Sequence, residues 1–173
     1  VSKDTNHKNR KGEKIMARMT RKELTKSVNK GWAFEAQTSL LRKWKRDGRS
    51  GSYDLAHEGL IYECKFFTIK PASKGKHAEY NSAHGFKAIK SKSLYAQVQE
   101  YCATFDRLIV GYGESIDNYD SFTMTSEEAV EWLYKRLQYK AGSDEVRFCW
   151  GGKSLESRYE SRLAKLKSEG YTL

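Results

Sequence analysis

The sequence predicts an α/β fold, a mixed central sheet flanked by helices. Three observations predict it. Apolar residues recur at helical spacing in four separated segments. Between them lie short runs with strand character, LIYECKFF and DRLIVGY above all. The two kinds of segment alternate along 173 residues, the length of one ordinary domain.

The elements follow in order. Residues 1–30 form a basic arm; its first 22 residues are polar with one weak apolar cluster, Ile15 to Met19, and disorder, or a helix that forms on DNA, is expected there. Gly31 opens the first firm element. Phe34, Ala36, Leu40, Leu41 and Trp44 predict a helix over 32–46. Asp47-Gly48 and Ser50-Gly51-Ser52 make a loop. Tyr53 to Ala56 reads as a short strand, His57-Glu58-Gly59 as a tight turn, and Leu60 to Ile69 as a strong strand, together a hairpin. Residues 70–86 are basic and aperiodic and read as a loop. A second helix is predicted over 88–104, with Leu94, Val98, Cys102 and Phe105 as its stripe, and a buried strand over 106–112. An acidic loop follows. Thr125 and Glu128 make a capping box for a helix to about Tyr139. Glu145 to Trp150 alternates like an edge strand. Leu155, Tyr159, Leu163 and Leu166 mark a last helix. The organisation expected is an arm (1–30), a core (31–142) and a C-terminal strand and helix packed on it (143–173).

Composition excludes several classes. No apolar run approaches the roughly 18 residues of a membrane span. No secretory signal stands in the sequence given. Cys64, Cys102 and Cys149 are far apart and form no zinc pattern, so each reads as a free, partly buried thiol of a reduced cytoplasmic protein. The net charge is +10 and unevenly spread: +7 over residues 1–30, +5 over 70–92 and −6 over 106–131. Such segregation points to a polyanion, with nucleic acid first and an anionic membrane second. No amphipathic helix with a broad apolar face adjoins the basic arm, which demotes the membrane. GGKS at 151–154 lacks the first glycine of a P-loop, since position 147 is Arg147, so no nucleotide cofactor is expected. His77, Asn81 and His84 have the wrong spacing for an HNH site.

The chemistry concentrates in the hairpin. Side chains two apart on a strand share a face, so Glu63 and Lys65 point one way and Tyr62 and Cys64 the other. Two charges inside LIYECKFF cost free energy unless something meets them. Asp54 lies nine residues before Glu63, across a tight turn, which brings the two carboxylates together. Paired carboxylates make a hard-oxygen site for Mg²⁺ or Mn²⁺ rather than zinc. Lys65 beside them can orient a water and stabilise a pentavalent phosphorus. A surface Asp with an ordinary Glu–Lys neighbour pair fits the same spacing.

With these residues in place, the string YDLAHEGLIYECK resembles the acid–turn–ExK pattern of the PD-(D/E)XK nuclease superfamily, the restriction-endonuclease-like fold. The resemblance covers about residues 30–113. KGWAFE places Glu35 four residues after Gly31 and looks like the Holliday-junction-resolving branch. There the helical glutamate contributes to the metal site, which implies Glu35 as an auxiliary ligand beside Asp54 and Glu63. In several branches a glutamine of the second helix faces the site. Gln97 and Gln99 are candidates, and Gln97 is preferred. Tyr53 stands where the nominal motif has proline, and the segment between Glu35 and Asp54 is short. The resemblance implies Mg²⁺-dependent DNA cleavage leaving a 5′-phosphate, often by a homodimer, in a bacterial or phage-encoded protein. Lys70, Lys74, Lys76, Lys87, Lys90 and Lys92 follow the catalytic strand and are the expected phosphate contacts. A structure-specific, resolvase-like enzyme is preferred over a sequence-specific homing or restriction endonuclease. A non-catalytic nucleic-acid-binding module is the alternative of another class.

Overall fold

The computed structural model describes residues 2–4, 27–46, 54–69 and 85–173. It is α/β. A six-stranded mixed sheet runs in the order β1-β7-β6-β4-β3-β2, where β1 is Ser2–Asp4, β2 Lys45–Arg46, β3 Leu55–His57, β4 Leu60–Thr68, β6 Arg107–Ser115 and β7 Asn118–Thr125. Among its described strand pairs only β4–β6 is parallel. A second sheet of three strands has the order β5-β9-β8, with β5 Gly85–Lys87, β8 Leu137–Tyr139 and β9 Glu145–Phe148. Four α-helices are described: α1 Ser27–Arg42, α2 Leu94–Cys102, α3 Ser126–Tyr134 and α4 Tyr159–Ser168. None is long and apolar enough to cross a membrane.

Both faces of the large sheet are covered. Tyr62, Cys64 and Phe66 of β4 join Ala33 and Phe34 of α1 in one apolar cluster. On the other face Phe67, Leu108 and Val110 join α2, α3 and the small sheet in the larger cluster, which also takes in Leu166 and Tyr171 near the C-terminus. Gly111 sets how closely α1 lies. A Cβ there would stand 2.5 Å from the Phe34 ring, so the ring can keep this place against β6 only over a glycine.

Several boundaries differ from the sequence reading. α1 starts before Gly31 and ends at Arg42, after which Trp44 turns the chain into β2. Ser2–Asp4 pair with β7, so the first residues of the predicted arm belong to the sheet. Residues 5–26, the loop 47–53 and residues 70–84 lie outside the described residues. Residues 85 and 86, expected as loop, open β5. α2 begins only at Leu94, capped by Ser93. The acidic loop is largely β7, a polar strand held by ladder bonds to both β1 and β6. The capping box forms as predicted, with Thr125 accepting from Glu128 N–H at 3.2 Å and Glu128 accepting from Thr125 N–H at 3.3 Å. That helix stops at Tyr134 because Leu137 begins β8. β9, expected at an edge, is the middle strand of its sheet.

The Phe34–Gly111 contact yields a prediction. Gly111→Ala forces a fully enclosed ring to move, at about 1–3 kcal/mol. Its melting temperature should fall by several degrees, and Phe34→Leu in the same chain should recover part of the loss. An unchanged melting temperature would contradict the packing described.

Candidate active site

The β3–β4 hairpin closes through Glu58 and Gly59, both at positive φ (49° and 77°), the two-residue turn that matches strand twist. Leu55, fully buried, pins the start of β3 and pairs with Tyr62. Carried one residue further, this register sets Asp54 opposite Glu63. β3 stops there, however. The next β4 donor on that side, Cys64 N–H, takes the Asp54 carboxylate instead of a strand carbonyl, at 2.7 Å. The end of a short strand thus turns a carboxylate inward against a second one.

Glu63 and Lys65 sit on the α2 face of the sheet, as the alternation requires. Lys65 Nζ donates to Glu63 Oε1 at 3.2 Å, and its side chain is only 4% exposed. Tyr101 of α2, which the sequence reading passed over, donates its hydroxyl to the same oxygen at 2.7 Å. Its ring centre lies 5.1 Å from Lys65 Nζ. Burial, then the charge and hydrogen bond of Glu63, push the Tyr101 phenol well up, so it remains a donor at any working pH.

Glu35 approaches from α1, on the opposite face. Arg46 Nε donates to its Oε1 at 2.6 Å, so Arg46 is a second residue the sequence reading missed. Asp54 lies between the two faces and feels both acids. Burial and the charge of Glu63 raise its pKa to about 7. The Cys64 N–H lowers it, Glu35 raises it further, and Lys65 lowers it. The carboxylates have converged with less positive charge than they need.

The cysteines of the site are not its reactive groups. Burial and the neighbouring carboxylates push Cys64 well up, and burial pushes Cys102 to about 12, so both thiols stay neutral. The donors on offer are carboxylate oxygens. Mg²⁺ keeps several waters and is commonly held by one or two carboxylates, so Asp54 and Glu63 fit such an ion. No group of three His, Cys, Asp or Glu side chains among the described residues is arranged to hold a metal, and Glu35 is engaged with Arg46 rather than turned into a third ligand position.

Other expected site residues lie elsewhere. Gln97 is buried, but its carboxamide is spent on backbone: Oε1 accepts from Ile89 N–H at 2.8 Å, and Nε2 donates to Ile89 O and Lys92 O at 2.9 and 3.0 Å. It holds the 89–93 turn and is not brought to the carboxylates, and Gln99 is exposed. Lys87 pairs with Asp144 at 3.8 Å and Lys92 with Glu100 at 3.9 Å, while Lys90 donates to Glu169 O at 2.8 Å. Lys70, Lys74 and Lys76 lie outside the described residues. The signal for Tyr101 was its place one helical turn after Gln97. Its partner, 38 residues away on β4, could not be read locally.

The state of Asp54 has a measurable consequence. Its folded pKa, about 7, lies above the ordinary 3.8. An acid raised on folding costs nothing below pH 3.8, and the cost grows until the pH passes the folded value. Asp54→Asn keeps an acceptor for Cys64 N–H. In EDTA it should melt with the parent near pH 4 and several degrees above it at pH 8. A variant less stable than the parent at pH 8 would contradict the crowding.

No protein-family model, curated protein or solved structure matches this chain.

Proposed function

We propose that the protein is a metal-dependent endodeoxyribonuclease of the PD-(D/E)XK type. The observation that carries the reading is the meeting of Asp54, Glu63 and Lys65 on β4 and at the end of β3, with Asp54 raised to about 7 by burial and then by the charge of Glu63. Two acids stacked with one buried ammonium oppose stability unless they serve a ligand. The order of elements supports it too: an acid–turn–ExK hairpin, then α2, then β6 parallel to β4.

A divalent ion of the Mg²⁺ class, bound by Asp54 and Glu63, would acidify a water and offset charge on a phosphoryl oxygen. The chain's own residues do the rest. Cys64 N–H fixes the direction of the Asp54 carboxylate. Tyr101 and Lys65 both bind Oε1 of Glu63 and so set its rotamer. The Lys65 ammonium, buried beside Glu63, orients the attacking water and meets the charge that grows on phosphorus. The oxygen of that water bonds to phosphorus as the bond to the 3′-oxygen breaks; the water gives up its proton to solvent and the 3′-oxygen takes one from solvent, leaving a 5′-phosphate and a 3′-hydroxyl. Glu35 and Arg46 add field rather than direct contact.

Within this class we keep a structure-specific, resolvase-like substrate as the first reading on the Gly31–Glu35 spacing of the sequence alone, since Glu35 is bound by Arg46 and gives no third ligand. A homing or restriction enzyme would prefer long linear duplex. The protein acts in the cytoplasm of a bacterium or for a phage, as a homodimer on DNA.

Cleavage of plasmid and of a synthetic four-way junction, with and without Mg²⁺, tests the proposal. Asp54→Asn, Glu63→Gln and Lys65→Met, which keeps the volume of the buried side chain, should each lose at least a hundredfold in rate while binding DNA in EDTA like the parent. Glu63→Gln is preferred to Ala because removing a buried partner of Lys65 costs about 3–5 kcal/mol. Tyr101→Phe should lose about tenfold and keep its fold. Full activity in Asp54→Asn, or no strand breaks by the parent in Mg²⁺ or Mn²⁺, would overturn the reading, the latter in favour of a binding module.

A further inference from the structure

The turn from α1 into β2 reads Arg42-Lys43-Trp44-Lys45-Arg46, four cations around one indole. It is tied down firmly. Trp44 N–H donates to Ser39 O at 3.0 Å, and the Ser39 hydroxyl donates to Trp44 O at 2.8 Å. The indole stacks on His57 at 4.7 Å between centroids and packs on Tyr62 at 4.4 Å. The turn is therefore clamped to the hairpin that carries Asp54 and Glu63.

Two of its cations serve the fold. Arg46 binds Glu35, and Arg42 lies 4.9 Å from the Trp44 ring centre. The other two, Lys43 and Lys45, are exposed and make no ion pair among the described residues. Lys87, Lys90 and Lys92, by contrast, each have a protein partner.

Lys43 closes the helix with φ of 57°, a left-handed conformation that glycine adopts at little cost and lysine does not. A turn shaped for stability alone would carry glycine there. The register places Lys45. It pairs with Ala56, which pairs with Ile61, and directly paired residues share a face. Ile61, Glu63 and Lys65 alternate onto that face. Lys45 thus rises on the side of Glu63 and Lys65. Two strand spacings and one two-residue step put it roughly 12 Å from Glu63, a span of about three or four nucleotides. A cation near a helix C-terminus also complements the helix dipole, but Arg42 already stands in the last turn, and Lys45 lies beyond it in β2.

Resting on the nuclease reading, we infer that Lys43 and Lys45 are the phosphate-contacting pair that holds the DNA strand beside Asp54 and Glu63. The contact is electrostatic and independent of sequence. Trp44 is its structural anchor.

The test is fluorescence anisotropy with a labelled 30-bp duplex in EDTA, over 50–200 mM KCl. Lys43→Gly and Lys45→Ala should each lower the slope of log affinity against log salt by about 0.9. Together they should shrink the affinity loss across that range by about twelvefold. Lys43→Gly should at the same time raise the melting temperature, which a purely structural lysine would also do, but without the change in slope. Lys140→Ala, whose ammonium is held by Glu145 at 2.7 Å, should leave the slope as it is. Unchanged slopes in the folded Lys43 and Lys45 variants would overturn the inference. Vesicles containing phosphatidylserine provide a further arm: binding to them that depends on the two lysines, with none to DNA, would overturn it in favour of a membrane surface. A parent protein that cuts DNA while both variants keep the full slope sinks only this inference. A parent that neither binds nor cuts DNA sinks the nuclease reading with it.

Discussion

A strand that stops early makes this site. β3 has three residues, and where it ends the Asp54 carboxylate takes over the hydrogen bond of Cys64 N–H. In a regular ladder that donor would meet a carbonyl two residues before the start of β3, with Asp54 paired opposite Glu63. Here the carboxylate itself takes that donor, and burial, then the charge of Glu63, with a smaller part from Glu35, raise its pKa to about 7. The remaining features of the site follow from that uncompensated negative charge.

The sheet delivers its groups from both sides. The α2 face supplies Lys65 and Tyr101, which converge on a single oxygen of Glu63. The α1 face supplies Glu35, restrained by Arg46. Gly111 lets the Phe34 ring of α1 pack closely against the sheet. A buried lysine with one carboxylate partner and one aromatic face is costly to assemble. Its cost is set against a preorganised ammonium at the place where phosphorus charge would develop.

Much of this could be read in the amino-acid order because it depends on local pattern. The alternation in LIYECKFF separates Glu63 and Lys65 from Tyr62 and Cys64, and Glu58-Gly59 announces the turn that brings Asp54 back. The Thr125–Glu128 cap is local as well. What escaped depends on partners distant in sequence. β7 is polar and becomes a strand because it lies between β1 and β6. Leu133 and Leu137 suit one helix by spacing, yet Leu137 pairs with Phe148 in β8. Tyr101, Arg46 and the employment of Gln97 follow from contacts across the fold. The cationic turn at 42–46 was visible in composition, but its geometry depends on the left-handed Lys43 and on the stacking of Trp44 against His57.

The central claim is that Asp54 and Glu63 hold one divalent ion, and a manganese titration over pH 5.5–8, followed by water-proton relaxation, addresses it most directly. Binding must displace the proton that Asp54 carries. The account predicts one site whose affinity rises about tenfold per pH unit up to about pH 7 and then levels off. Absence of binding, or an affinity indifferent to pH across this range, would contradict it.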